Sequence, residues 1–169
     1  DAPVLLSYAS SILARRMLSN SVSVMKRQRN ELNLPELPLY GRGDLSTLYD
    51  RMKPLSINTP QRVEKEGKSI EITLHHAGHV AGAVSVEVKS EKERIFFTGD
   101  LLFNDQRTLD GADLPLEPVD VLVTETTRGG TARDPGRQRE SELVSLLEEV
   151  RKTLNRGGSA LIPVSVSYT

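Results

Sequence analysis

The stretch ITLHHAGHVAGA, residues 72–83, holds all three histidines of the chain. The residues leading into it, SIEITLHH, alternate between apolar and polar, as a half-buried strand does. The rest carries His79 between Gly78 and Gly82, and glycine lets a backbone turn tightly or approach a ligand closely. The pattern therefore predicts a strand whose carboxyl end leads His79 into a loop.

Further strands are predicted around this stretch, and most of them follow it. PVLLS at residues 3–7 reads as a short buried strand, AVSVEVKS and ERIFFTG continue the alternation, and SALIPV is a last strand. VDVLVTE is almost entirely apolar, which is typical of a strand covered on both faces.

Three helices are predicted between the strands. The first spans about Ala9 to Lys26, and a short one covers DLSTLYDRM with Asp44 as a plausible N-cap. The third spans about Arg137 to Asn155, and Gly157 is its natural stop. Its predicted buried stripe consists of Leu143, Leu146, Leu147 and Val150. The predicted fold class is α/β, with a long helix covering the strands.

Composition narrows the possible functions. The chain has 169 residues, which suits one domain, and its net charge of −1 gives no global basic field for nucleic acid, although a local groove stays possible. Cysteine is absent, so any metal must bind to His, Asp or Glu. No apolar run approaches the roughly 20 residues of a membrane span. We expect no signal peptide, no membrane partner and a cytoplasmic location.

His79, Asp100 and Glu125 each follow a predicted strand. The carboxyl ends of strands are where α/β layers usually place their sites. This shared position is the strongest functional signal in the pattern.

Each of these residues has two interpretations. His79 is a structural histidine or a metal ligand, and of its neighbours His75 and His76 at most one can reach the same site, because adjacent strand residues face opposite sides. Asp100 is a turn former or helix N-cap, or a carboxylate that bridges two metal ions. Glu125 forms an ordinary salt bridge with Arg128 or Arg133, or orients a histidine beside a metal.

Four blocks together resemble the β-CASP branch of the metallo-β-lactamase superfamily. They are LHHAGHVAGAVSVEV, RIFFTGDL, VDVLVTETTRGG and RQRESELVSLLEEVRKTLNRGGSALIPV. Members of this family include the nuclease subunit of the cleavage and polyadenylation factor, ribonuclease J and archaeal relatives. The resemblance runs continuously from about Val4 to Val164.

The resemblance implies an αββα sandwich, of which this chain is the central portion. Residues 1–164 would be a partial metallo-β-lactamase domain, and residues 165–169 the start of a β-CASP insertion or a non-native end. The family's His-x-His-x-Asp-His block is absent and is expected upstream of Asp1.

The resemblance also implies a site for two zinc ions. His79 matches a ligand of the first zinc, and Asp100 matches the aspartate that bridges both. Glu125 matches an acidic residue that supports a histidine proposed to protonate the leaving group, so Asp100 and Glu125 are the expected catalytic residues. His76 corresponds to a frequent histidine that is not a ligand.

The implied activity is zinc-dependent hydrolysis of phosphodiesters in RNA or single-stranded nucleic acid. A homodimer or a processing complex is the expected assembly. With only two of the ligands, the chain alone is expected to be inactive, because a zinc site needs at least three protein ligands. Two other interpretations stay open: a metal-free scaffold subunit of the same family, and a hydrolase of the same fold that acts on a small-molecule ester.

Overall fold

The computed structural model describes residues 2–127, 129–130 and 138–163. The chain divides into two compact units, Asp1–Glu125 and Thr126–Thr169, and each is described here by itself. Among the described residues, no helix combines the length and the apolar character that crossing a membrane requires. The assignment of residues 1–164 to one partial domain stays a prediction, and residues 165–169 lie outside the described residues.

The first unit contains seven strands and two helices. In chain order they are β1 Val4–Ser7, α1 Tyr8–Glu31, α2 Arg42–Arg51, β2 Met52–Leu55, β3 Gln61–Lys65, β4 Lys68–His76, β5 Val84–Lys89, β6 Arg94–Phe97 and β7 Val121–Val123. The second unit contains α3 Arg139–Asn155. The predicted α/β class is confirmed. The strands β2 and β3 had not been predicted, because MKPL and QRVEK carry little apolar alternation.

Five strands form one sheet in the order β3-β4-β5-β6-β7. The pairs from β3 to β6 are antiparallel, whereas β6 and β7 are parallel. It follows that β4, β6 and β7 point in the same direction. Their carboxyl ends therefore lie at one edge of the sheet.

The two helices of the first unit pack on each other beside a second, parallel sheet made of β1 and β2. Their shared core is Val22, Met25 and Leu45. Ser7 caps α1 by accepting a hydrogen bond from the Ser10 backbone N–H at 3.1 Å.

The prediction that Asp44 is the N-cap of α2 is wrong. Gly41 occupies that position, and the Asp44 carboxylate accepts a hydrogen bond from the Gly41 N–H at 2.8 Å. Asp44 thus lies inside the first turn, where a carboxylate also complements the helix dipole.

One face of the five-stranded sheet is polar and yet buried. Its buried polar residues are Thr73, His75, Ser85, Glu87 and Thr98, around a buried Phe96. Glu87 accepts from the Arg94 Nε at 3.0 Å, and Arg94 Nη2 also lies 2.7 Å from a Glu117 oxygen. Buried charges need such partners, because an isolated charge away from water is costly. The network fixes the sheet from the side opposite His76.

Two predictions about strands in the second half of the chain are wrong. Val121, Leu122 and Val123 of β7 are 42, 58 and 47% exposed, because β7 is the last strand of its sheet and is not covered on both faces. Residues 159–163 of the SALIPV segment are not a strand, and Val164 lies outside the described residues.

The predicted buried stripe of α3 is also exposed. Leu143, Leu146 and Leu147 are 41, 46 and 54% exposed, and Val150 is half-buried. Within residues 126–163, as far as the structure describes them, α3 is the only helix or strand. The stripe therefore has nothing regular to pack against in its own unit.

Candidate metal centre

The sheet topology brings the three strand-end residues to one edge. His79 follows β4, Asp100 follows β6 and Glu125 follows β7, and these strands run in the same direction. The His79 Nε2 lies 3.9 Å from the nearer Asp100 carboxylate oxygen. Glu125 reaches the same loop, since its Oε1 accepts a hydrogen bond from the Leu101 N–H at 2.8 Å.

The spacing of His79 and Asp100 fits two ligands of one metal ion. With metal–ligand bonds of about 2.0–2.2 Å, two donors on a tetrahedral zinc lie about 3.4 Å apart, and two such bonds in a straight line span at most about 4.3 Å. The observed 3.9 Å lies within that limit, and both side chains reach solvent, being 39 and 70% exposed. No cluster of three or more potential ligands occurs among the described residues. The geometry is therefore compatible with two ligands of one metal site, and the described residues do not complete such a site.

Glu125 acts on the backbone beside Asp100. The side chain is half-buried, and its contact with the Leu101 N–H ties the end of β7 to the loop after β6. A carboxylate that accepts from a backbone N–H makes a strong, directional bond. Arg128 and Arg133, the alternative salt-bridge partners, lie outside the described residues.

Gly78 sets the path of the loop that carries His79. Its φ is +68°, which residues with a side chain rarely adopt. A Cβ atom at this position would overlap the Leu102 carbonyl oxygen and approach the Ala112 nitrogen to 2.6 Å. Two backbone segments therefore pass directly over Gly78, and only glycine leaves room for them.

The overlying backbone belongs to residues 101–113, which we name the bracing loop. The Leu102 N–H donates to the Ala77 carbonyl at 2.9 Å, and the Asp113 N–H donates to the His76 carbonyl at 2.8 Å. Between these points, Gln106 Nε2 donates to the carbonyls of Gly78 and His79 at 2.7 and 2.9 Å. The loop after Asp100 thus holds the loop that carries His79.

Sequence reasoning missed Gln106. Residues 104–118, with Gly111, Pro115 and Pro118, carry only the sequence signals of a loop. No periodicity or motif distinguishes one amide side chain in such a segment. Its role depends on a contact with residues 27 and 28 positions earlier in the chain, so no local signal could have found it.

The other two histidines point to opposite faces, as predicted. His75 is buried, and its Nε2 lies 2.8 Å from a Glu87 carboxylate oxygen, with the ring edge-on to Phe96 at 5.6 Å between centroids. His76 is exposed and lines a cavity of about 760 Å³ between the start of α1 and residues 76–84. Gly78 and Val80, on either side of His79, also line this cavity, whereas His79 and Asp100 do not.

Comparison with known proteins supports the resemblance seen in the sequence. No protein-family model matches the chain. Endoribonuclease YSH1 of Candida glabrata is 30% identical over 161 residues, which is 95% of this chain and 20% of that protein. Integrator complex subunit 11 of Danio rerio is 28% identical over 164 residues, covering 97% of this chain and 26% of that protein.

An archaeal protein is similarly related. Probable RNase MJ4 of Methanocaldococcus jannaschii is 28% identical over 167 residues, which is 97% of this chain and 36% of that protein. The chain spans about a fifth of the length of the first curated relatives that it matches. Because these relatives are all β-CASP metallo-β-lactamase proteins, the chain belongs to the β-CASP branch of the metallo-β-lactamase superfamily.

Proposed function

We propose that the protein containing this chain is a zinc-dependent ribonuclease and that this chain supplies His79 and Asp100 as metal ligands. The observation that carries the proposal is the 3.9 Å approach of these two side chains at one sheet edge. The family supports a metal-dependent nuclease, whereas the identity of the metal and a count of two ions are part of the proposal. The remaining ligands would come from residues outside the described part of the chain.

The proposed chemistry is hydrolysis of an RNA phosphodiester. Zinc ions, when bound, supply Lewis-acid neutralisation of the scissile phosphate and acidify water near neutral pH. Asp100 suits the bridging position, because a carboxylate offers two oxygens and several lone-pair directions. The exposure of Asp100 leaves its second oxygen accessible.

The proposed cut is internal rather than terminal. The related proteins from Candida glabrata and Eremothecium gossypii are named endoribonucleases. A processing complex is the proposed assembly, because another relative is named a subunit of the Integrator complex and another a subunit of a cleavage and polyadenylation specificity factor. A homodimer stays a prediction.

The test uses the full-length protein and three substrates: circular single-stranded RNA, linear RNA and a small phosphoester. We expect cleavage of the circular RNA, loss of activity after chelation, and recovery when zinc is restored. Hydrolysis of the small ester alone would favour the small-molecule hydrolase. A folded protein that binds no zinc and cuts nothing would favour the scaffold.

Asp100→Ala in the full-length protein gives a sharper test of the same proposal. We expect RNA cleavage to fall to background and zinc affinity to fall, because the variant removes a ligand oxygen. Kinetics on labelled RNA and zinc content by mass spectrometry check this. Asp50→Ala, an exposed aspartate on α2, is the control and leaves both unchanged. Undiminished cleavage by Asp100→Ala would contradict a bridging role.

A further inference from the structure

The Gln106 side chain makes the one side-chain contact to the His79 backbone found among the described hydrogen bonds. Its Nε2 lies 2.7 Å from the Gly78 carbonyl oxygen and 2.9 Å from the His79 carbonyl oxygen. A primary amide nitrogen carries two hydrogens, so each carbonyl receives one. Both donors are therefore used on the peptide units that flank the Cα of His79.

The chemistry of the contact requires a donor at this position. Carbonyl oxygens only accept hydrogen bonds, so a carboxylate in place of the amide would face them with repulsion. A thioether would fill the space without donating, and it would leave both partly buried carbonyls without this partner. The arrangement thus distinguishes glutamine from glutamate and methionine, which have similar shapes.

Gln106 is itself held in place by the bracing loop. Its own N–H donates to the Leu109 carbonyl at 2.8 Å, and the Gly111 N–H donates to the Asp105 carboxylate at 2.8 Å. The Ala112 N–H closes the loop onto the Leu102 carbonyl at 2.8 Å. Because the loop begins directly after Asp100, these bonds connect the position of Asp100 to that of His79.

We propose that Gln106 is a positioning residue that holds His79 at its distance from Asp100. Removing a group that orients a metal ligand typically lowers metal affinity about 10–100-fold. Gln106 acts through the backbone of His79 and does not touch the metal position itself. The ligand role of His79 in this inference rests on the proposed function. The contact between Gln106 and the His79 loop is independent of that function.

The test compares Gln106→Met and Gln106→Glu in the full-length protein. The controls are Gln61→Met and Gln61→Glu, which make the same chemical changes on the exposed residue at the start of β3. The first measurement is amide hydrogen exchange in the metal-free protein over residues 76–83. The Ala77 and Ala83 N–H groups report on this loop, because they donate to the Ala83 and Val80 carbonyls within it.

We expect both Gln106 variants to exchange about tenfold or more faster in this loop, with Gln106→Glu the faster of the two. The rest of β4, β5 and β6 should exchange at the rate of the unmodified protein, as should both Gln61 variants throughout. Unchanged exchange in the loop would overturn the proposal. Equal acceleration across the whole sheet would also overturn it, because that indicates general loss of stability.

The second measurement is zinc affinity by competition with a chromophoric chelator. We expect about a 10–100-fold loss in the Gln106 variants and none in the Gln61 variants. Zinc affinity that stays unchanged in Gln106→Glu would overturn the positioning role. If the unmodified protein binds no zinc but the loop exchange still accelerates, the contact is supported and the proposed ribonuclease is wrong.

Discussion

Glu125 makes a contact in the structure that its sequence interpretation did not include. The resemblance implies that it supports a histidine, and that role stays a prediction. The structure adds a contact of another kind, since Glu125 Oε1 accepts the Leu101 N–H beside Asp100. A carboxylate has two oxygens and several lone-pair directions, so the contact with Leu101 does not by itself exclude a histidine partner.

Two substitutions of Glu125 separate these roles. Glu125→Gln keeps an oxygen that accepts from Leu101, so we expect zinc content to stay intact while turnover slows. Glu125→Ala removes the acceptor, so zinc affinity should also fall about 10–100-fold. Zinc analysis and RNA kinetics on the full-length protein check both.

The control for these variants is Glu91→Ala, which removes an exposed carboxylate from the turn between β5 and β6. It should change neither quantity. Loss of zinc in Glu125→Gln would show that Glu125 contacts the metal directly. Full turnover in that variant would show that its charge has no part in catalysis.

Residue types and strand ends were enough to select His79, Asp100 and Glu125 as candidates from the sequence. These three residues come together because the strands that precede them run in the same direction. The sequence indicates those directions only through the resemblance to a family of known fold. The metal roles themselves stay predictions. Gln106 could not be found, because its donors act on carbonyls that are distant in sequence.

At the scale of elements, the loop between β4 and β5 depends on its crossing with the bracing loop. Gly78 is the contact point, because backbone atoms of Leu102 and Ala112 occupy the space where a Cβ would lie. The sequence indicated that glycine was needed around His79. It did not indicate that another loop was the reason.

Gly78→Ala tests this crossing against a matched control. Gly67 also has a positive φ, +73°, but nothing lies within 4 Å of its Cβ position. Gly67→Ala should therefore cost only about 1 kcal/mol of the free energy of unfolding, from backbone strain. Gly78→Ala adds the cost of overpacking and should total about 2–4 kcal/mol.

Denaturant titration of both variants measures these costs, with zinc affinity as a second readout for the loop. We expect zinc affinity to fall in Gly78→Ala and to be unchanged in Gly67→Ala. Equal losses of stability in the two variants would mean that the bracing loop moves aside without cost. The close approach seen at Gly78 would then have no energetic importance.

Secondary structure was predicted best where the pattern was long. The three helices were predicted with ends that differ by a few residues, and β4, β5 and β6 were found where alternation is clear. Burial of β7 and α3 was predicted wrongly. An apolar pattern shows which face of a segment can be buried, but it does not show whether another element covers that face. The neighbours that would bury it are a property of the assembled fold.

At the scale of the whole molecule, the described residues contain only part of the proposed metal site. They provide His79 and Asp100, and no cluster of three potential ligands occurs among them. The chain also spans only about a fifth of its first curated relatives. We therefore expect zinc binding to depend on how much of the protein is present.

We expect the 169-residue chain to retain less than one zinc per molecule, and the full-length protein to retain about two. Zinc analysis gives the number of zinc ions per molecule, and intact mass spectrometry identifies the polypeptide. The 169-residue chain without metal has a mass of 18.7 kDa. The physical reason is that zinc sites need at least three protein ligands. Two tightly bound zincs in the short chain would contradict the incomplete site. None in the full-length protein would favour the scaffold.

The sequence by itself determined the fold class, the helices, the central strands, the family and the candidate residues at strand ends. These follow from local periodicity and from blocks of residues in a set order. Only the tertiary structure decided that the three strand ends meet at one edge, that Glu125 binds beside Asp100 and that Gln106 holds the His79 loop. Such contacts join residues far apart in the chain, so strand direction and loop crossing create them and no local pattern encodes them.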